Sequence, residues 1–151
     1  MSILTLPCSK HFAGKVIFLA PTRPLVNQQI NACHDIMGIP EEDIAHLEGS
    51  VAAAKREVLW QEKRVFFCTP QTLMNDLANA RCDPRSIVCV VIDEAHRATG
   101  QYAYTTLIQE ISSRSTNFRV LALSATPGSD ARKVQSVSSV VSWVLMLSCL
   151  L

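Results

Sequence analysis

Short apolar runs alternate along this chain with segments in which apolar residues recur every three or four positions. Apolar runs bounded by turn residues are typical of strands buried on both faces of a parallel sheet. Helical spacing indicates amphipathic helices that pack on such a sheet. The predicted strands are residues 16–20, 65–68, 87–92 and 118–125. Because the two kinds of segment alternate, we predict βαβ units and an α/β fold with a mostly parallel sheet.

Helices are predicted between and beside these strands. Pro24 and Gly38 delimit the first one, and the Ala-rich, charged segment 51–63 is predicted to form the second, packed at the surface. The apolar positions of the first helix are Val26, Ile30, Cys33 and Met37. Those of the third and fourth helices are Leu73, Met74 and Leu77, and Tyr104, Leu107, Ile108 and Ile111.

The composition is that of a globular protein with one domain. The chain has 151 residues, of which 48% are apolar and 18% charged, which allows a sizeable core and is untypical of disorder. The net charge of +1 gives no overall attraction to nucleic acid, so any such surface must be local. Six cysteines without a CxxC pair disfavour a disulfide or zinc framework. Reduced thiols in an intracellular protein fit better, and residues 1–12 lack the features of a secretory signal.

The last part of the chain has a different composition. Residues 134–151 are uncharged and include five serines. This length is at the lower edge of what spans a bilayer, where about 20 residues are usual, and the serines oppose insertion. We therefore favour a packed or extraneous extension over a membrane anchor.

The strongest chemical signal is Asp93-Glu94-Ala95-His96, which directly follows the run 87–92. Open α/β sheets bind ligands beyond the carboxyl ends of their strands. One acid there can hold Mg²⁺ on a nucleotide while its neighbour orients and deprotonates a water. The tetrapeptide also fits a solvated loop or an acidic helix start, and His96 alone fits a buried, hydrogen-bonded histidine.

Hydroxyl and basic residues follow three other predicted strands. Pro21-Thr22-Arg23 and Thr69-Pro70-Gln71 stand just before helices, where backbone N–H groups bind phosphate readily. Arg23 adds a charge-assisted contact, and Ser124-Ala125-Thr126 offers hydroxyls at a strand end. Each segment alone is also ordinary turn chemistry. Their shared position at one edge of the sheet favours a phosphate-binding role.

Other polar and aromatic residues carry no comparable signal. The pairs Lys55-Arg56 and Lys63-Arg64 are predicted to lie on solvated faces. Trp60 has no evident stacking partner. The remaining histidines, among them His46, lack metal-ligand spacing.

Four segments resemble the motifs of superfamily 2 helicases. They occur in order and at fitting separations within residues 14–135, and their detail is similar to the Fanconi anaemia group M and archaeal Hef branch of DNA translocases that remodel forks and junctions. GKVIFLAPTRPLVNQQ at 14–29 resembles motif Ia, and VFFCTPQTLMNDL at 65–77 resembles the DNA-contact motif that follows it. VIDEAHRATGQYAY at 91–104 resembles motif II of the DEAH type, and LALSATPG at 121–128 resembles motif III.

The resemblance implies a partial RecA-like, P-loop NTPase-type motor domain that uses ATP and Mg²⁺. By resemblance, Asp93 holds Mg²⁺, Glu94 activates the attacking water, and His96 acts with motif III to couple nucleotide state to DNA movement. The motif III residues are Ser124, Ala125 and Thr126, and the DNA-contacting residues are Pro21, Thr22, Arg23, Gly49, Ser50, Thr69, Pro70 and Gln71. Contacts to the DNA backbone suit a motor, since phosphates carry no sequence information. The resemblance also implies a nuclear repair protein that acts on forked or branched DNA with protein partners.

The chain departs from the family pattern before motif Ia. A phosphate-cradling GxxxxGK[ST] loop should stand there, but the sequence offers only Gly14-Lys15 without an earlier Gly at that spacing or a following hydroxyl. We therefore expect a fragment: a divergent lead at 1–13, a partial ATP-binding domain at 14–135 lacking the P-loop strand and the second motor domain, and a non-family tail at 136–151. In this family the P-loop strand lies beside the motif III strand, so its loss should expose that edge unless residues 3–6 or the tail cover it.

Three functional hypotheses follow. The first is an ATP-dependent DNA helicase or translocase, of which this chain is a piece that hydrolyses ATP weakly or not at all. The second is a truncated isoform that binds DNA or a protein partner without catalysis. The third, a tail-anchored membrane protein, depends on residues 134–151 alone.

Overall fold

One parallel sheet organises the part of the chain that is described. The computed structural model describes residues 14–93, 101–124 and 144–148. Within them, six strands lie in the order β2-β3-β1-β4-β5-β6, and every neighbouring pair is parallel. The predicted α/β fold with a parallel sheet is confirmed. The strands are β1 (Lys15–Leu19), β2 (Ile44–Leu47), β3 (Val65–Cys68), β4 (Ile87–Ile92), β5 (Arg119–Ser124) and β6 (Val144–Ser148).

Four described helices connect the strands. They are α1 (Arg23–Met37), α2 (Ala53–Glu62), α3 (Pro70–Ala78) and α4 (Gln101–Arg114). α1 ends as predicted at Gly38, whose φ of +61° lies in the left-handed region that glycine adopts without the clash of a Cβ. Short 3₁₀ turns at Glu41–Asp43 and Pro84–Ser86 lead into β2 and β4.

Hydrophobic side chains pack on both faces of the sheet, because successive strand residues point to opposite faces. On one face, the predicted apolar stripe of α4 packs with Phe66, and on the other, Val26 of α1 packs with Phe67. Trp60 stacks on Phe66 with ring centroids 4.0 Å apart. The expectation that Trp60 lacks a stacking partner is therefore wrong. The fully buried residues of the α4 stripe are Leu107, Ile108 and Ile111.

A buried ionic cluster joins α2 to α3. Asp76 is fully buried, and its carboxylate accepts hydrogen bonds from Arg56 at 3.0 Å, Trp60 Nε1 at 2.9 Å and Arg81 at 3.2 Å. Arg56 is only 8% exposed, so the prediction that it lies on a solvated face is wrong. Arg56 and Trp60 share one face of α2, as i and i+4 positions do, and that face meets Asp76. We call Asp76, Arg56, Trp60 and Arg81 the Asp76 cluster.

The second predicted cationic pair is half-buried rather than fully solvated. Lys63 donates a hydrogen bond to the carbonyl oxygen of Glu42 at 2.5 Å. Arg64 lies 4.0 Å from the carboxylate of Asp43. These contacts tie the segment that enters β3 to the turn that precedes β2. Lys55 is exposed, as predicted.

β2 is missing from the sequence-based prediction. Ala45 and Leu47 are buried, whereas Ile44 and His46 are partly exposed. This is the alternation of a strand with one buried face. The strand comprises only four residues, so the alternation is too short to be recognised against the acidic segment that precedes it.

The apolar tail contributes a strand. β6 pairs in parallel with β5, from Val120 opposite Val144 to Ser124 opposite Ser148. The tail is thus the segment that covers the edge of β5, while residues 3–6 lie outside the described residues. β6 occupies the place beside the motif III strand that the resemblance assigns to the P-loop strand. No described helix is long and apolar enough to cross a membrane.

Burial determines the reactivity of three thiols. Cys68, Cys82 and Cys89 are free and buried, and burial raises the pKa of the Cys82 thiol to about 12 and that of Cys89 to about 11. Because the thiolate is the reactive form, we expect none of the three to react with a maleimide near neutral pH while the chain is folded. Peptide mapping after labelling in native and in denaturing buffer checks this. Rapid native labelling at Cys68 contradicts it.

The raised thiol pKa values also set a direction for the pH dependence of stability. An unfolded cysteine has a pKa near 9.0, below the folded values. The stability that these neutral thiols contribute is therefore complete below about pH 9 and is lost as the pH rises through the folded pKa values.

Candidate functional site

The carboxyl ends of β1, β2, β3 and β4 meet at one edge of the sheet. Leu19, at the end of β1, is in register with Cys68 at the end of β3 and with Ile92 at the end of β4. Leu47, at the end of β2, is also in register with Cys68. The segments that follow these strands carry the predicted DNA-contacting residues and Asp93. The sheet topology therefore brings them to a common edge.

Four of the predicted DNA-contacting residues line one cavity. This cavity of about 220 Å³, which we call the edge recess, lies at the ends of β2 and β3. Arg23 Nη2 is 4.0 Å from the position that a Cβ on Gly49 would occupy, so the guanidinium lies close beside Gly49. The predicted residues in the wall are Arg23, Gly49, Thr69 and Gln71, and the others are Val26, His46, Leu47, Glu48, Thr72 and Asn75.

Two helices begin at the edge recess. Thr22 precedes α1 and Thr69 precedes α3, both in extended conformation and neither with a side-chain hydrogen bond that caps its helix. The first N–H groups of a helix carry partial positive charge and bind anions. The exposed guanidinium of Arg23 stands in the first turn of α1. This combination is suited to phosphate groups.

The other predicted contact residues flank the recess. Pro21 is half-buried and leads into Thr22, which is exposed. Pro70 is buried at the first position of α3, where it fixes the start of the helix. Ser50 is exposed, and its hydroxyl donates a hydrogen bond to Glu48 Oε2 at 2.9 Å. These residues shape the wall without lining the cavity.

Sequence reasoning missed the charged pair in the recess wall. Glu48 Oε1 lies 3.4 Å from His46 Nε2. A carboxylate at this place opposes phosphate binding, because like charges repel. His46 lies in β2 and Glu48 directly follows it. A sequence-based prediction of β2 would therefore have placed both residues at this end of the sheet.

Asp93 follows β4 at the same edge and is partly buried. Its backbone N–H donates to the carbonyl oxygen of Leu19 at 2.9 Å. Its Oδ2 accepts a hydrogen bond from Gln29 Nε2 at 2.6 Å. Gln29 lies on α1, and nothing in its sequence position predicts this contact. The first bond fixes the backbone of Asp93 beside β1, and the second orients its carboxylate.

The donor set at Asp93 fits Mg²⁺ that is carried by a nucleotide. Mg²⁺ prefers oxygen ligands and commonly uses one or two carboxylates together with substrate phosphates and waters. Over the described residues, no group of three or more His, Cys, Asp or Glu could hold a metal without such help. A single oriented carboxylate is what a nucleotide-borne Mg²⁺ requires.

Several predicted catalytic and coupling residues lie outside the described residues. These are Glu94, His96, Ala125 and Thr126. Ser124 ends β5 opposite Ser148 of β6, and only its backbone is described. The roles assigned to these residues stay predictions.

Comparison with known proteins identifies the family. A model of the DEAD/DEAH box helicase family matches residues 2–134. The chain belongs to the DEAD/DEAH box helicase family. It is 51% identical over 127 residues to the Fanconi anemia group M protein of Gallus gallus and 52% identical over 124 residues to the ATP-dependent DNA helicase mph1 of Sclerotinia sclerotiorum.

These relatives are much longer than this helicase chain. The alignments cover 84% and 82% of the chain but only 6% and 10% of the two relatives. The chain therefore corresponds to a small helicase segment of each relative. Activities of the whole relatives apply to this chain only as proposals. The predicted domain limits at residues 13/14 and 135/136 stay predictions.

Solved structures support the same assignment. The helicase domain of Pyrococcus furiosus Hef has a TM-score of 0.74 and 35% identity, with 89% of this chain and 29% of that one covered. A DEAD box protein from Methanococcus jannaschii has a TM-score of 0.72 at 18% identity, over 89% of this chain and 37% of the other. The latter shows the fold alone. The predicted RecA-like fold and the resemblance to Hef are confirmed.

Proposed function

We propose that this chain is part of an ATP-dependent DNA helicase or translocase of the fork- and junction-remodelling, DNA-repair type. The observation that carries the proposal is the edge recess, where Arg23, Gly49 and the start of α3 come together from three strand ends. The relative from Sclerotinia is named a DNA helicase. The resemblance further favours nuclear location, forked or branched DNA as the substrate, and protein partners in a repair complex.

In this proposal, the edge recess binds the phosphate backbone. Arg23 supplies a charge-assisted hydrogen bond. The prolines at the starts of α1 and α3 have no N–H, so the neutral hydrogen bonds come from the N–H groups of Leu25 and Gln71, which follow them. Gly49 lies beside the guanidinium of Arg23, so a backbone held by Arg23 passes close to the turn that carries Gly49. None of these groups reads a base edge, which is what a motor needs to move along any sequence.

The nucleotide side of the proposal depends on Asp93. Gln29 and the N–H bond to Leu19 orient its carboxylate, which would hold Mg²⁺, and Glu94 would orient and deprotonate the attacking water. His96, Ser124 and Thr126 would transmit the nucleotide state to the DNA-binding edge. Bound ATP with Mg²⁺ supplies the phosphoryl bond whose hydrolysis drives the movement.

Replacing Arg23 with alanine tests the DNA-binding edge. We expect the affinity for forked DNA to fall about five- to tenfold, because a charge-assisted phosphate contact is lost. The slope of log affinity against log salt should decrease by about 1. Fluorescence anisotropy with a labelled fork over a salt series measures both quantities. Because a relative from Arabidopsis is named an RNA helicase, a forked RNA serves as competitor.

Arg85→Ala is the matched control for Arg23→Ala. Arg85 has a 77% exposed side chain and stands in the turn before β4, at the opposite edge of the sheet. The substitution Arg85→Ala removes the same formal charge as Arg23→Ala, so a purely global electrostatic effect would appear in both variants. Equal losses in the two variants, or fork binding that does not respond to salt, argue against the recess as the DNA site.

We also propose that these 151 residues by themselves hydrolyse ATP weakly or not at all. The sequence contains no GxxxxGK[ST] segment, and such a loop provides the backbone N–H groups and the Lys that hold the phosphates. ATP turnover with and without forked DNA is the measurement. DNA-stimulated turnover that Glu94→Gln abolishes would overturn this proposal.

The non-enzymatic alternative predicts a different pair of results. A truncated isoform that only binds would retain salt-sensitive fork binding and show no nucleotide dependence of that binding. Addition of ATP and Mg²⁺ to the anisotropy assay tests this alternative: a fork affinity that changes with nucleotide contradicts it.

A further inference from the structure

The Asp76 cluster reaches the wall of the edge recess through one of its members. Arg56 Nε donates to both carboxylate oxygens of Asp76 at 3.0 Å, and its Nη2 lies 3.0 Å from Oδ1. The third nitrogen, Nη1, donates to the backbone carbonyl oxygen of Val51. One guanidinium thus contacts α3 on one side and the chain just after Gly49 and Ser50 on the other.

The segment that Arg56 contacts is a tight turn at the end of β2. The N–H of Val51 donates to the carbonyl oxygen of Glu48 at 3.0 Å, which closes a turn over residues 48–51. Inside the turn, Ser50 Oγ donates to Glu48 Oε2 at 2.9 Å. Gly49 and Ser50 are exposed, so the turn has little packing of its own. The carbonyl of Val51 is its anchor to the core.

We propose that Arg56 is a positioning residue for nucleic-acid binding, which fixes the turn 48–51 at a set distance from α3. Asp76 lies on the same helix whose first residues, after Thr69, form the other wall of the recess. By bridging Asp76 and Val51, Arg56 sets the width of the recess without touching the bound phosphate itself. This inference rests on the proposed DNA-binding function of the recess.

The chemistry of the bridge requires arginine. A guanidinium has five N–H donors in a rigid planar fork, whereas a lysine ammonium is a single point charge on a flexible stem. Asp76 is fully buried, so water does not compete for its oxygens. A lysine at position 56 can compensate the Asp76 charge, but it cannot also hold the Val51 carbonyl in the same geometry.

Arg56→Lys compared with Arg81→Lys tests the proposal. Arg81 also donates to Asp76, at 3.2 Å, but has no hydrogen bond with the turn 48–51 among the described contacts. We expect Arg56→Lys to weaken fork binding about tenfold, whereas Arg81→Lys should change it less than about twofold. Both are measured at a temperature at which each variant is fully folded, as checked by circular dichroism.

Native-state amide hydrogen exchange provides a second readout that does not depend on DNA. Arg56→Lys should speed exchange selectively at the amide of Val51, whose N–H donates to the Glu48 carbonyl oxygen within the turn, while Arg81→Lys should leave this amide unchanged. If the whole chain fails to bind forked DNA, the proposed function is wrong, and the exchange result alone decides whether Arg56 holds the turn. Equal effects of the two variants on binding, or unchanged exchange in the turn, overturn the positioning role.

A double variant keeps the proposal falsifiable if Arg56→Lys unfolds. Arg56→Met combined with Asp76→Asn removes both buried charges of the pair, and replacing a buried ion pair is often tolerated. The Asn oxygen can still accept from Trp60. This variant should fold, lose protection at the amide of Val51 and bind forked DNA about tenfold more weakly. Retention of full affinity and full protection overturns the role of Arg56.

Discussion

Replacing Asp76 with alanine should lower the free energy of unfolding by about 3–5 kcal/mol, because breaking a buried ion pair leaves its partner charge uncompensated. Asp76 is fully buried, Arg56 is 8% exposed, and Trp60 and Arg81 donate to the same carboxylate. Its loss strands the charge of Arg56 and the indole N–H of Trp60 inside the fold. Urea denaturation followed by circular dichroism measures the change, with a lower midpoint and an unchanged slope expected.

Glu110→Ala is the control for Asp76→Ala. Glu110 Oε1 lies 2.8 Å from Arg114 Nη2 on α4, closer than any pair in the Asp76 cluster, but both side chains are at least one-third exposed. An exposed i, i+4 pair contributes only about 0.3–0.5 kcal/mol. A loss at Glu110 as large as that at Asp76 would show that burial is not what makes the Asp76 cluster stabilising.

The sequence pattern predicts the centre of the sheet well. β1, β3, β4 and β5 lie inside the sheet, and each contains at least four consecutive apolar residues, a pattern that is difficult to produce on a surface. Parallel connections then place every carboxyl end at one edge. Arg23, Gly49 and the segment that carries Thr69 and Gln71 are far apart in the chain, yet they line one cavity for this topological reason.

The pattern fails where a residue's environment depends on a distant partner. Arg56 and Asp76 are charged, so composition alone places them at the surface, and only the packing of α2 on α3 shows that they pair. Gln29 and Asp93 are 64 positions apart, and no local periodicity links them. Buried polar contacts of this kind are specified by tertiary structure and are invisible to hydrophobic patterning.

The two outermost strands of the sheet, β2 and β6, show a third limit of prediction from the sequence. β2 is short and half-exposed, and β6 lies in a segment whose composition alone fits a strand, a buried helix or an extraneous extension. Its pairing with β5 depends on β5 having an edge available, which follows from the order of the other strands. The tail forms a strand because it pairs with the side of β5 that β4 leaves free, not because of a periodicity of its own.

Removing residues 136–151 should therefore destabilise the chain and promote its self-association. The deletion removes β6 and the parallel ladder from Val120–Val144 to Ser124–Ser148, in which each hydrogen bond contributes about 1 kcal/mol. It leaves β5 with unpaired N–H and C=O groups, and such an edge pairs readily with another chain. Sedimentation velocity over a concentration series and thermal unfolding measure the two effects.

Two variants separate loss of the ladder from loss of apolar mass. A chain that lacks only residues 149–151 keeps β6 and should sediment like the whole chain. Adding Leu123→Lys to the deleted chain places a charge on the β5 edge, which should suppress edge-to-edge pairing and restore the smaller species without restoring the melting temperature. If the deletion leaves both sedimentation and melting unchanged, β6 does not protect β5. In that case the sheet is stable with β5 as its edge.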